Sequence, residues 1–286
     1  MLITIAALAL TAIPAPSLAV TDARASGSAA ATAESAFWYV RTLQTRTHAR
    51  QVGVTEKYWL VQQEESQEWA DRDGRMWHAH RSLGWRPKSA ADQAAWKRDG
   101  SPQQWSYRTE GMLVKLSTQR GKAVVRPVKG PVKGAGWWFN QRKLSFRDIQ
   151  RLPATPKELK AWLAKASAEG ADPVRAEDFD IWVKGAYTGL LYSMPAPKPV
   201  RAAAYKALSA MPGVQRARQG AGVERLAYAL KDPKGQTAFT VDVDTRAMTL
   251  KRSTVATTHD GKPLPGKSWT MEHAAEWTDT PPPVAS

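Results

Sequence analysis

From Trp269 to Trp277 every second residue is apolar or ring-bearing. Trp269, Met271, His273, Ala275 and Trp277 fall on one side of an extended chain, and Thr270, Glu272, Ala274 and Glu276 on the other. Side chains alternate across a strand, so this period of two predicts a strand with one covered and one solvated face. "FWYVRTLQTRT" near the start has Phe37, Tyr39 and Leu43 alternating with Trp38, Val40 and Thr42, a strand partly covered on both faces. "KYWLVQQ" is a second β-like run. In "QEWADRDGRMWHAH" Trp69 and Trp77 flank Asp73-Gly74, the turn chemistry of a hairpin. Residues 84–110, polar and dotted with Trp, Pro and Gly, read as a long connection. "GKAVVRPVKGPVKGAG" reads as an edge strand followed by a flexible basic loop.

The period then changes to that of a helix. In "LPATPKELKAWLAKA" Thr155 is placed to cap, Pro156 to occupy the first helical position and Glu158 to close a capping box. Leu159, Trp162, Leu163 and Ala166 follow on one face. An L-P-x-T string also resembles a wall-sorting signal, but Pro156 stands where that signal needs Gly, and the chain ends in "TDTPPPVAS". A second helix is predicted over 174–192, with Phe179, Trp182, Val183, Ala186, Tyr187, Leu190 and Leu191 in phase. Gly185 and Gly189 sit four apart on its side, leaving space for another element or for a ligand. A third spans 199–211 and stops at Pro212-Gly213. The pattern returns to strands in "ERLAYALK", "QTAFTVDVD" and "AMTLKRSTV", the first two flanking the turn Asp232 to Gly235. Strands, helices, strands imply an α+β fold: a curved, half-barrel-like antiparallel meander with a central block of about three helices on one face, around one core.

The N-terminus sets a different boundary. Leu2 to Ile13 is apolar and leads to small-x-small sites at Ser17-Leu18-Ala19 and Ala23-Arg24-Ala25. Residues 1–25 are therefore expected to be a signal peptide or membrane anchor, 26–35 a tether, 36–278 a single extracytoplasmic domain and 279–286 a disordered tail. The location follows as secreted or anchored to the cell membrane. The chain has no Cys, which excludes disulfides, thiol nucleophiles and cysteine-held zinc. A net charge of +15 arises from 41 Lys and Arg spread along the 286 residues. Such a spread favours an anionic membrane or wall surface over a nucleic-acid site, which would gather its basic residues into a patch or motif.

Candidate chemistry is sparse. His78-Ala79-His80 places two imidazoles on one strand face, a pairing that suits a metal only with a third ligand. Glu272 and Glu276 share a strand face opposite His273 and do not converge with it. No G-x-S-x-G, P-loop or H-E-x-x-H is present. No catalytic residue, metal ligand or cofactor is assigned. The thirteen Trp point to an apolar groove where sheet meets helices, with Trp182, Tyr187, Trp269 and Met271 as the expected ligand-binding residues.

"FWYVRTLQ" after an apolar segment, "LSFRDIQRLPATPKELKAWL", "AAAYKALSAMPGVQ" and "VDVDTRAMTLKRS" together resemble a family of actinobacterial envelope proteins known by a locus-tag name. The likeness covers most of residues 36–278. It implies an envelope location and carries over no catalytic residue. In architecture the order of elements is more remotely similar to lipoprotein carriers and to sensor domains that regulate anti-sigma factors. Three functions stay open: a non-enzymatic binder of a lipid, acyl peptide or other hydrophobic ligand; a sensor or interaction module acting on another envelope protein; and an envelope hydrolase.

Overall fold

The computed structural model describes residues 35–128, 137–139, 142–169, 173–231 and 235–283. The N-terminal segment and nearly all of the tether lie outside the described residues, as do the basic glycine loop after Val128, the turn residues 232–234 and the end of the tail.

Three long strands come first: β1 (Phe37–Thr47), β2 (Leu60–Asp71) and β3 (Met76–Pro87). Helix α1 (Ala90–Arg98) leads to the hairpin β4 (Gln104–Thr109) and β5 (Met112–Ser117), then to the short β6 (Val124–Pro127) and the small hairpin β7 (Trp137–Phe139) and β8 (Arg142–Leu144). Four helices follow: α2 (Phe146–Gln150), α3 (Pro156–Ala168), α4 (Phe179–Leu190) and α5 (Lys198–Ser209). The chain ends in β9 (Gln215–Gly220), β10 (Val223–Lys231), β11 (Gly235–Asp244), β12 (Thr249–His259), the two-residue β13 (Lys262–Pro263) and β14 (Trp269–Thr278).

The fold is mixed α+β with an open antiparallel sheet in the order β6-β3-β2-β1-β14-β12-β11-β10-β9. It differs from a simple meander in its strand order, and the β4–β5 and β7–β8 hairpins pair outside it. The last strand inserts between β1 and β12, so the first and last strands pair at the middle of the sheet. The Trp69–Trp77 hairpin forms as expected, those two residues standing opposite each other. On β14 His273 is buried while Glu272, Ala274 and Glu276 are exposed, as the period of two requires.

The stretch 84–110, expected to be a connection, instead holds the end of β3 and all of α1 and β4. Both α1 and α2 begin with reciprocal capping boxes, Ser89 with Asp92 and Ser145 with Asp148. The S-x-x-D spacing was present in the sequence as a start signal for each. At α3 the box takes another form. Thr155 Oγ1 accepts from the Glu158 amide at 3.3 Å, but the Glu158 carboxylate accepts from the Thr155 hydroxyl at 2.7 Å.

Buried apolar side chains form two clusters. The larger joins α2–α5 and the β7–β8 hairpin to β10, β11 and β12, with Leu159, Leu163, Val183, Leu208, Leu226 and Val243 fully enclosed. The smaller joins Val52, Tyr58, Leu60, Ala95, Trp105 and Leu116, and so ties α1 and the β4–β5 hairpin to the start of β2. Among the described residues no helix is long and apolar enough to cross a membrane.

Leu226 is 0% exposed and faces the helices, whereas Val124 is 50% exposed on an edge strand. Leu226→Ala is expected to lower unfolding stability by about 2–5 kcal/mol in urea titration, through lost burial and the cavity left behind. Val124→Ala should change it by less than about 0.5 kcal/mol.

Candidate functional site

Helix α4 is buried on one arc and open on the other. Val183, Ala186, Tyr187 and Leu190 point into the large cluster. Gly185 lies away from it, and a Cβ built there meets nothing within 4 Å. At Gly189 the nearest atom is Ser193 Oγ at 3.5 Å. The two glycines therefore cut a shallow trough along the helix. Trp182 forms one wall, its ring 5.9 Å from Phe139 and 5.9 Å from Phe179. The resulting groove, about 370 Å³, is lined by Phe139, Ile181, Trp182, Gly185, Ala186, Gly189 and Met194, none with a charged side chain. Ile181 on its rim is 47% exposed.

The four expected ligand-binding residues occupy three places. Trp182 lines the α4 groove. Tyr187, five residues on, lies on the other side of the helix and borders a separate hollow of about 470 Å³ with Pro156, Lys157, Lys160, Asp180 and Met211. Its hydroxyl is enclosed and has no hydrogen-bond partner among the described residues, and burial raises its pKa, so the phenol stays neutral. Trp269 and Met271 are half-buried on β14. Trp269 stands opposite Arg46 and Val255, and Met271 opposite Gln44 and Ser253. They line neither the α4 groove nor the Tyr187 hollow. At the helix–sheet junction lie the buried side chains of the large cluster.

The middle of the sheet carries a polar group that sequence spacing could not assemble. His273 Nδ1 lies 3.1 Å from Thr42 Oγ1 on β1, and Nε2 lies 3.1 Å from Ser253 Oγ on β12. The Tyr192 ring covers the imidazole at 4.3 Å. Burial pushes the His273 pKa down to about 4, and burial followed by the nearby Glu68 charge raises that of Tyr192. Glu68 is itself raised by burial, with His78 acting in the opposite sense. A serine hydroxyl on an imidazole nitrogen has the shape of a nucleophile and its base. Here the other nitrogen meets a hydroxyl in place of a carboxylate, and burial weakens the ring as a proton acceptor. What the arrangement does is fasten three strands through one neutral side chain.

His78 and His80 line a hollow of about 420 Å³ with Lys122 and Arg126, a cationic setting. Among the described residues no three His, Asp or Glu gather as a metal would need. Glu272 is on the other sheet face and bonds Arg252. A larger hollow, about 500 Å³, opens beside the small cluster between β4 and the loop from Arg50 to Lys57.

Comparison of the chain with protein-family models gives no match, and comparison with curated proteins gives none either.

His273 makes stability pH-dependent. Its folded pKa of about 4 lies below the ordinary 6.5, so between these values the unfolded chain binds a proton that the folded chain does not. Its contribution is complete above pH ~6.5 and is lost as pH falls toward ~4, by roughly 3 kcal/mol in all. Urea titrations at a series of pH values should show this loss, and His273→Gln should flatten it between pH 6.5 and 5.

Proposed function

We propose that the protein is a non-enzymatic, extracytoplasmic binder of an apolar or acylated ligand, and that an alkyl chain lies along the α4 groove. The carrying observation is the trough at the two glycines, open above Gly185 and bordered by Ser193 at Gly189, walled by Trp182, Phe139, Ile181 and Met194 and free of charged side chains. A helix gives up roughly 1 kcal/mol at each such glycine relative to Ala. Space at that cost, left unfilled by the protein's own side chains, fits a ligand that fills it. Each methylene withdrawn from water contributes about 0.8 kcal/mol, so roughly eight along the groove supply about 6 kcal/mol before the cost of association.

The apolar run and small-x-small sites at the N-terminus favour export or anchoring. The excess of Lys and Arg favours work near an anionic membrane or wall. Sheet twist accumulated over the strands on the path from β6 to β9 favours a half-barrel curved toward its helices, as in lipoprotein carriers. Lipid, acyl peptide or an acylated envelope protein would present the same chain to the groove.

Dodecanoate is a suitable probe, followed by calorimetry and by native mass spectrometry. Binding is expected, and Gly185→Leu should weaken it at least about tenfold, since the new side chain occupies the trough. The same substitution should leave the unfolding midpoint unchanged or higher, because Leu favours the helix over Gly. Absence of dodecanoate binding, or equal binding by Gly185→Leu, would refute the reading.

A further inference from the structure

The hairpin β4–β5 turns at Glu110 and Gly111, with φ of 47° and 79°. Two successive residues of positive φ make the two-residue turn of a tight hairpin. In such a hairpin the closing pair, Thr109 and Met112, exchanges both backbone bonds, and every second pair after it does the same. Those pairs are Tyr107 with Val114 and Trp105 with Leu116. The bond from the Thr118 amide to the Gln103 carbonyl, 3.0 Å, continues the alternation. Gln104, Ser106 and Arg108 therefore direct their N–H and C=O groups away from β5. Among the described residues β4 has no other strand beside it, and all three residues are exposed.

The two outer edges of the large sheet are guarded. β6 is four residues long and ends at Pro127, and β9 carries Arg216 and Arg218 on a fully exposed strand. The edge of β4 opens instead on the hollow of about 500 Å³, which Gln104 and Ser106 line together with Tyr107, Arg50, Lys57 and Asp99. Its lining holds two cations, Arg50 and Lys57, against one carboxylate, Asp99. The Asp99 carboxylate is taken up by the amides of Val54 and Thr55 and by the Tyr58 hydroxyl, and these bonds, the Thr55 amide foremost, hold its pKa low. Glu56 is held by Arg98 at 2.6 Å. The Arg50 guanidinium lies over the Tyr107 ring at 3.4 Å, and Lys57 Nζ donates to the Gly53 carbonyl. Among the described residues neither cation is paired with a carboxylate.

We propose that β4 adds an extended acidic segment of a partner protein as a third strand, its backbone bonded to Gln104, Ser106 and Arg108 and its carboxylates directed to Arg50 and Lys57. Strand addition of this kind draws affinity from the backbone and specificity from alternate side chains. The site is separate from the α4 groove and does not depend on what that groove holds.

The test uses the whole protein and two capped hexapeptides, one alternating Val with Glu and the other Val with Lys. Calorimetry should show binding of the Glu peptide and at least about tenfold weaker binding of the Lys peptide. Ser106→Pro removes an outward N–H that β5 does not use, so it should abolish binding with the hairpin intact, while Ser106→Ala should retain it. Arg50→Gln combined with Lys57→Gln should weaken binding and flatten its salt dependence. Amide hydrogen exchange gives an independent reading should Ser106→Pro disturb the hairpin. Saturating Glu peptide should slow exchange at Gln104, Ser106 and Arg108, while Trp105 and Tyr107 are slow already. Equal affinity for both peptides, no binding of the Glu peptide at about 1 mM, or exchange at those three amides unchanged by bound peptide would overturn the proposal.

Discussion

The structure depends on the pairing of its first and last strands. β1 and β14 match residue for residue from Phe37 with Thr278 to Arg46 with Trp269. β14 then meets β12 over a shorter stretch, Arg252 to Val255. Without this seam the strands β6-β3-β2-β1 and the strands β12-β11-β10-β9 would be two sheets, each with an unpaired inner edge. The backbone groups along those edges would lose their partners, at a cost that no single side-chain contact offsets.

Polar groups hold neighbouring strands in register on both faces of the sheet, the seam itself through His273. On the helix-bearing face His273 links Thr42 and Ser253, and Trp38 donates its ring N–H to the Tyr192 carbonyl at 3.3 Å, tying β1 to the end of α4. On the opposite face Glu65 is 2% exposed and lies between Arg41 at 2.5 Å and Arg81 at 2.6 Å, one from each neighbouring strand. Burial alone would raise that carboxyl, but the two guanidinium bonds more than offset it and keep its pKa low. A slip of one residue in β14 would turn His273 to solvent, and one in β2 would turn Glu65 away from its two arginines, so each group selects one pairing for its own strand.

The helix block serves the sheet and the surface at once. α4 gives its large residues to the core and its glycines to the outside, and for that reason a groove and a filled interior coexist on one helix. The small cluster does the same at the other end of β2. Trp105 donates to the Tyr58 hydroxyl at 2.9 Å inside it, and this anchors β4 by one face and leaves its edge unoccupied. Rigid support beneath an open surface is the condition under which either surface keeps its shape for a ligand.

Element type was largely legible in the sequence wherever the period was sustained. The alternation of Trp269 to Trp277, the Asp73-Gly74 hairpin, the Thr155 start of α3 and the glycine face of α4 all follow from local chemistry that needs no distant partner. The helices α1 and α2 were signalled only by Ser89-x-x-Asp92 and Ser145-x-x-Asp148, caps too short-ranged to stand out in polar surroundings. Long-range placement was not legible. Alternation states which side of β14 is covered, but not that β1 and β12 flank it, because strand order is decided by which edges bury the most surface together. The same holds for the candidate sites. Trp182 and Tyr187 were rightly placed on one helix, yet the helical turn between them sends one to a groove and the other to a separate hollow. Local sequence thus determined the elements and their covered faces, through periodicity and capping. Only the tertiary structure decided the neighbours, because backbone pairing between distant strands is indifferent to side-chain identity until packing selects the register.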